Sequence, residues 1–298
     1  MTDPGPKRTW QAREGDLVVP GRRVLDRLGG GRRTEVYRCV DEATGATVAV
    51  KVLRPGRTGE REVRMLRREA RTLAALDHPG FPRLLDEDLD ATPAWIVMTH
   101  VDGPHLSDLV REYGPIDREQ AVPLAAEVAG ALAHLHGRDR VHLDVKPSNV
   151  VMGARPVLLD LGASRRVERA TRLRPGVGTL TYLAPEQADP DRFGAPGPPS
   201  DVWGLGMTLL RATTGANPLV ARRDEVHPDE DELAATCRTA ASRVPAPLGA
   251  LVVACLATDP ARRPAAAEVA SAATTPGARS GGAARRLGHL FRGSRGTS

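Results

Sequence analysis

Residues 23–53 constrain the fold more tightly than any other stretch, because they read as three strands joined by two turns. Val24-Leu25 run into Gly29-Gly30-Gly31, Glu35–Val40 resume the strand pattern, Asp41–Gly45 supply a turn, and Thr47–Leu53 form the third run. Strand-forming runs separated by glycine- and aspartate-containing turns predict an antiparallel meander. Arg61–Leu76 then carries Val63, Leu66, Ala70, Leu73 and Ala74 at helical spacing, Trp95–Met98 is a short apolar strand, and Asp102-Gly103-Pro104 breaks the chain. Beyond the break the character changes. Gln120–His136, Asp201–Thr214, Leu248–Ala257 and Ala265–Ala273 predict largely apolar helices. Val141–Val151 and Val157–Leu161 predict short strand and loop, and residues 163–181 a polar, arginine-rich loop. The expected architecture is α+β and bilobal. A lead-in covers 1–20, a strand-rich N-lobe 21–98, a hinge 99–103 and a mainly helical C-lobe 104–275. A basic Gly/Arg/Ser-rich tail at 276–298 is expected to be disordered.

Composition excludes several classes. The longest apolar run, Leu248–Ala257, is too short to span a bilayer, and the polar N-terminus shows no signal-peptide core. Cys39, Cys237 and Cys255 are too dispersed for a zinc site or a disulfide framework, which predicts reduced thiols and a cytoplasmic protein. The formal charge of +5 belongs to the five arginines from Arg279 onward, and the rest of the chain is neutral. No nucleic-acid partner is expected of the body. The tail, with Leu287, Leu290 and Phe291 among arginines, could touch an anionic membrane or a partner. Nothing in the sequence indicates an oligomeric state.

Of 42 basic residues only three are lysines, at positions 7, 51 and 146. A lysine surviving in such an arginine-biased chain is a candidate for a site where ammonium and guanidinium are not interchangeable. Lys51 lies in Val48-Ala49-Val50-Lys51, where Ala49 and Lys51 share a strand face: a small residue leaves room for a flat base and the ammonium can reach phosphate oxygens. Glu69 in the following helix can pair with it. Gly29-x-Gly31, between two strands, lets backbone N–H groups approach a polyphosphate. His142-Leu143-Asp144-Val145-Lys146-Pro147-Ser148-Asn149 gathers a carboxylate, an ammonium and a carboxamide in eight residues. Acceptance of a hydroxyl proton, stabilisation of a transferring phosphoryl group and ligation of Mg²⁺ need that set. Asp160-Leu161-Gly162 places a second Mg²⁺ ligand at a strand end. The histidines show no metal spacing, since His134 and His136 lie 200° apart on a helix; they read as surface or packing groups.

With these segments in hand, the chain from about Val24 to Ala273 resembles the eukaryotic-type serine/threonine protein kinases. Leu28-Gly29-x-Gly31-x-x-Thr34-x-Val36-Tyr37 is similar to the glycine-rich loop and Val48–Lys51 to V-A-I-K. Residues 142–149 are similar to H-R-D-L-K-x-x-N, Asp160–Gly162 to D-F-G, and Ala184-Pro185-Glu186 is A-P-E. Ser200–Gly206 resembles the family's buried helix and Arg263 its late arginine, expected to pair with Glu186. The resemblance implies a bilobal protein-kinase-like fold and MgATP as cosubstrate. Leu28, Gly29, Gly31, Val36, Ala49, Met98, Thr99, Val101 and Val151 would surround the nucleotide. Lys51, paired with Glu69, would hold phosphates, and Asn149 and Asp160 would hold Mg²⁺. Asp144 would act as base, with Lys146 and Thr179 beside it. Lys146 and the segment Gly178–Glu186 resemble the serine/threonine branch, so protein Ser/Thr hydroxyls are the expected acceptors.

Three positions depart from the pattern. Thr34 replaces the third glycine and Leu161 the phenylalanine. Leu143 replaces the H-R-D arginine, which in the family commonly receives an activation-loop phosphate; control by phosphorylation at Ser164 or Thr171 is therefore not expected. These departures motivate the alternative of a pseudokinase scaffold or allosteric ATP-binding module. A small-molecule phosphotransferase would share H-x-D-x-x-x-x-N but not A-P-E with Arg263.

Overall fold

The computed structural model describes residues 12–172, 178–219 and 230–274. They divide into two units. The first runs up to Asp77 and includes Pro82–Val101; the second joins His78–Phe81 to the chain from Asp102 onward.

In the first unit the strands are β1 (Leu17–Val19), β2 (Arg22–Gly30), β3 (Thr34–Asp41), β4 (Thr47–Leu53), β5 (Leu84–Asp88) and β6 (Trp95–Thr99). They form one antiparallel sheet in the order β1-β2-β3-β4-β6-β5. Paired residues of antiparallel strands share a face, so the register sorts the side chains. Tyr37, Val50 and Val97 pair across β3, β4 and β6, and they join Val18, Val19, Val24, Cys39, Val48, Val52 and Trp95 in one apolar layer. The opposite face carries Val36 against Lys51 and Ala49 against Met98. Helix α1 (Glu60–Ala74) packs on β5 and β6 and buries Leu66, Ala70 and Leu73.

Two expectations need correction here. The lead-in does not extend to residue 20, because Val18 and Val19 are drawn into the apolar layer as β1, and the Ala12 N–H donates to the Tyr37 hydroxyl at 3.1 Å. Residues 78–81, placed in the N-lobe by the strand count, belong to the second unit: Gly80 O accepts from Leu158 N at 2.8 Å, and the His78 ring lies 4.8 Å from that of His134.

The second unit contains α2 (Leu106–Tyr113), α3 (Arg118–His136), β7 (Arg140–Val141), β8 (Val150–Met152), β9 (Pro156–Leu158), β10 (Arg165–Arg166), α4 (Val167–Ala170), α5 (Pro185–Ala188), α6 (Pro190–Phe193), α7 (Pro198–Thr214), α8 (Glu230–Ala241), α9 (Leu248–Cys255) and α10 (Ala266–Thr274). Asp117 caps α3, accepting from Gln120 N at 2.9 Å, and α3 packs against α7 and α10. Helix α7 is buried along most of its length. Gly204 is what lets it approach the loop before β8, since a Cβ there would lie 2.9 Å from Val145 backbone and side chain. No described helix is long and apolar enough to cross a membrane. The basic tail lies outside the described residues.

Candidate active site

In the first unit, β4 places Lys51 opposite Val36 of β3 and Ile96 of β6. Its Nζ donates to both carboxylate oxygens of Glu69, at 2.7 and 2.8 Å, and both side chains are nearly buried. A buried ammonium that satisfies both oxygens of one carboxylate is held in a single position, which a freely solvated strand lysine would not be. Ala49 and Met98 lie two residues further along the same face, both buried. Leu28 is partly exposed at the end of β2, where Gly29-Gly30-Gly31 turn the chain into β3. A Cβ added at Gly29 or Gly31 would meet nothing within 4 Å, so no neighbour in the protein requires glycine there. That is the condition for a ligand to approach the backbone closely. At the end of β6 the Thr99 N–H donates to Arg83 O at 2.9 Å and its hydroxyl accepts from Arg83 N at 2.9 Å. The Thr99 amide is therefore committed within the sheet edge, and Val101 ends the unit half-buried.

In the second unit the segment 142–149 is fixed from below by α7. Asp201 Oδ1 accepts the Leu143 amide at 2.7 Å; its Oδ2 accepts the His142 amide at 2.8 Å and lies 2.8 Å from His136 Nε2. These bonds hold Leu143 at φ 67°, in the left-handed region that a branched side chain avoids. The His142 ring is fully buried, with Nε2 3.0 Å from Leu159 O and Nδ1 accepting the Asp144 amide at 3.3 Å.

Above this platform stands the polar cluster. Lys146 Nζ donates to Asp144 Oδ2 at 2.7 Å and to Thr179 Oγ1 at 2.6 Å, and the Thr179 hydroxyl donates to Asp144 Oδ1 at 2.9 Å. Asn149 Nδ2 donates to Asp144 O at 2.8 Å and lies 3.2 Å from Asp144 Oδ2. The β8–β9 hairpin then brings in Asp160, because Leu159 N donates to Asn149 O at 2.7 Å. Asp160 itself is exposed at φ 61° and accepts from Gly162 N at 3.2 Å. Val151 is buried in β8.

A further buried pair supports the segment after residue 178. Arg263 Nη1 and Nη2 donate to the two oxygens of Glu186 at 2.6 and 2.9 Å. The remaining guanidinium donors reach the carbonyls of Ala257, Thr258 and Pro199, and the Ser200 hydroxyl donates to Glu186 Oε1 at 2.7 Å. Gln187 Nε2 donates to Leu143 O at 3.0 Å and so ties α5 to the 142–149 segment.

The arrangement joins an oriented carboxylate to an ammonium, a carboxamide and a second carboxylate, groups of the kind that phosphoryl transfer to a hydroxyl uses. A protein kinase domain model matches residues 22–273. The chain belongs to the protein kinase family. Relatives within it include the Thermomonospora curvata protein named probable serine/threonine-protein kinase PkwA, 33% identical over 86% of this chain. Serine/threonine-protein kinase PknB of Mycobacterium tuberculosis is 34% identical over 79% of the chain, and PkaA of Streptomyces coelicolor 34% over 82%. These alignments cover 35%, 39% and 47% of the respective relatives, so the chain spans less than half of their length. The fold is the protein-kinase one, with a curled antiparallel sheet in one unit and a mainly helical second unit.

Sequence reasoning missed several residues of this kinase framework. His136 was expected at the surface or in packing, yet it sits on Asp201, whose carboxylate also collects two amides. The only sequence signal was an aspartate in the first turn of an otherwise apolar helix. Ser164 was considered for phosphorylation but is fully buried. Thr171 is exposed, its hydroxyl donating to Glu168 O at 2.8 Å.

Proposed function

We propose that the chain is an ATP-dependent protein serine/threonine kinase. The observation that carries the reading is the bracketing of Asp144, whose two side-chain oxygens receive Lys146 Nζ and the Thr179 hydroxyl. Such a carboxylate is held in orientation while remaining able to accept a proton. The substrate hydroxyl gives its proton to Asp144 as its oxygen bonds to the γ-phosphorus; the bond to the bridging oxygen breaks and ADP leaves. Lys146 supplies positive charge beside the transferring group, and Thr179 keeps Asp144 and Lys146 in register. Lys51, fixed by Glu69, is assigned to the α- and β-phosphates, and Gly29 and Gly31 to close backbone approach. Val36, Ala49, Met98 and Val151 are the apolar groups assigned to the base, with Leu28 and the Thr99–Val101 backbone at its edges.

Mg²⁺, when bound, supplies charge neutralisation at the phosphates. Asn149 and Asp160 fit such an ion. Asn149 spends its amide nitrogen on Asp144, leaving its oxygen as ligand, and Asp160 is an exposed carboxylate one residue beyond the backbone bond to Asn149. An ion of this kind takes one or two protein oxygens and completes its shell with phosphate and water. The relatives' names specify serine/threonine kinases, and the same acceptor class is proposed here. The reading includes a cytoplasmic location, in keeping with three buried free thiols.

The test is phosphate transfer from Mg-[γ-³²P]ATP to a generic basic protein. Wild type should label it, and Asp144→Asn should label it about 10²–10⁴-fold more slowly. A wild-type protein that binds ATP without transfer would overturn the reading in favour of a nucleotide-binding scaffold.

A further inference from the structure

Glu35 is the outstanding charged group that this mechanism leaves unused. It belongs to the same face of β3 as Tyr37 and Cys39, the apolar face of the sheet, and its side chain is 1% exposed. A carboxylate there is costly unless it is paired. Two arginines meet it. Arg27 Nε, from the part of β2 just before the glycines, donates to Oε2 at 2.6 Å, and the Arg54 guanidinium, just past β4, forms an ion pair with Oε1. Both arginines come from the chain that borders the glycine turn.

Backbone contacts make the same connection. Arg54 N donates to Arg33 O at 2.8 Å, and Gly31 N donates to Thr34 O at 2.9 Å. Gly30 pairs directly with Glu35 across β2 and β3. Gly30 also differs from its two neighbours. A Cβ there would overlap Glu35 Oε2 and lie 2.8 Å from Thr34 O, whereas Gly29 and Gly31 face open space. Glycine at position 30 thus answers to the Glu35 carboxylate, while glycine at 29 and 31 leaves room for something outside the protein.

We infer that the Arg27–Glu35–Arg54 clamp is a positioning device for the glycine turn: it fixes both strands that flank Gly29–Gly31 and so presets the backbone that the phosphates approach. Glu35 touches no substrate and acts through the turn. The inference rests on the reading of this turn as the nucleotide-binding loop. The clamp itself can be observed without nucleotide.

The experiment uses the full chain as wild type, Glu35→Gln, Arg54→Ala, Arg54→Lys and Gly30→Ala. Two readouts are taken: amide hydrogen exchange over residues 28–34 without nucleotide, and steady-state kinetics in MgATP. Glu35→Gln and Arg54→Ala should raise loop exchange about tenfold while the amides of β4 and β6 keep wild-type protection. They should raise KM for ATP roughly 5–20-fold with kcat changed less than about twofold, because misplaced donors weaken ground-state and transition-state binding alike. Arg54→Lys should recover most of both. Gly30→Ala should mimic Glu35→Gln, and the two together should do no more than either alone. Should Glu35→Gln fail to fold, Arg54→Ala decides, since its partly exposed side chain can be removed without opening the apolar layer. Unchanged loop exchange in a folded Arg54→Ala would overturn the clamp, and so would raised exchange with KM for ATP unchanged. Wild type that binds no MgATP would instead overturn the kinase reading, and the exchange data would still decide whether Glu35 holds the turn.

Discussion

At the scale of single residues, Thr179 shows how little slack the cluster has. Its oxygen accepts from Lys146 and its proton goes to Asp144, so one hydroxyl sets the direction of both charged groups. Thr179→Ser keeps donor and acceptor and should retain most activity. Thr179→Val keeps the shape but removes both, and kcat should fall about 10²-fold with Tm shifted little. Equal activity in the two variants would show that Lys146 and Asn149 orient Asp144 without Thr179. Lys51→Met should reduce turnover at least ~10²-fold, through loss of charge placed against the phosphates. It also removes the ammonium that both Glu69 oxygens accept from, so melting must be measured alongside; wild-type kcat in this variant would remove Lys51 from the mechanism.

Among the elements, the segment following Asp160 is ordered by means that need no phosphate. Strand β10 pairs with β7, joining Arg165 to Val141 and Arg166 to Arg140. Leu143, Val141 and Ala170 form a small apolar cluster, with Ala163 and Val167 against it. The Arg165 guanidinium is turned back onto the carbonyls of Gly162, Ala163 and Ser164. Ion pairing within the described part of this segment contributes little: Arg172–Glu168 at 3.1 Å is about three-quarters exposed, and such pairs are worth about 0–1 kcal/mol. Leu143, standing where an arginine would bind phosphate, contributes apolar packing instead. Phosphatase-treated protein should therefore phosphorylate a peptide within a few-fold of the untreated rate, and Thr171→Ala should do the same. A tenfold drop reversed by rephosphorylation would show that another arginine receives the phosphate.

The elements also show which parts of the fold a reader of the sequence can recover. The meander, α1, α3, α7 and the 142–149 segment are legible because their signals are local: periodicity, turn residues, and eight contiguous residues that gather a carboxylate, an ammonium and a carboxamide. Strand β1 is only three residues long and runs straight into Pro20, too short to carry a strand signal of its own. Strand β5 (Leu-Leu-Asp-Glu-Asp) is an edge strand, exposed along most of its length, with little apolar signal. Helices α2 and α8 lack a long apolar stripe and so carry little helical signal in the sequence. The residues that hold the site from outside are harder still. His142 and His136 meet Asp201 across 59 and 65 positions of chain, and no spacing rule reaches that far.

On the scale of the whole molecule, each unit has a separate interior and the thiols are sealed within them. Cys39 lies in the apolar layer of the sheet, and Cys237 and Cys255 lie in the helical unit, all buried. Burial pushes each thiol up to about 12. Because the folded values lie above those of the unfolded chain, the native state favours the protonated thiol. That stability is complete below about pH 8.5 and is lost as pH rises toward 12. The native protein should leave Ellman's reagent almost unreacted at pH 8 and release three equivalents on denaturation. One thiol reacting at the rate of free cysteine would place it at an accessible surface.

The two faces of the sheet also bear on how the chain reaches this state. Paired residues share a face, so a slip of β4 by one position against β3 would exchange its sides. Lys51 would enter the layer now filled by Val50 and Val52, and those valines would turn toward Glu69. An all-apolar strand could tolerate such an error at the cost of some packing. Here the misaligned sheet must bury an ammonium among valines and strand a carboxylate on α1. The lysine assigned to phosphate therefore doubles as a proofreader of strand alignment, rejecting the wrong pairing while the sheet assembles.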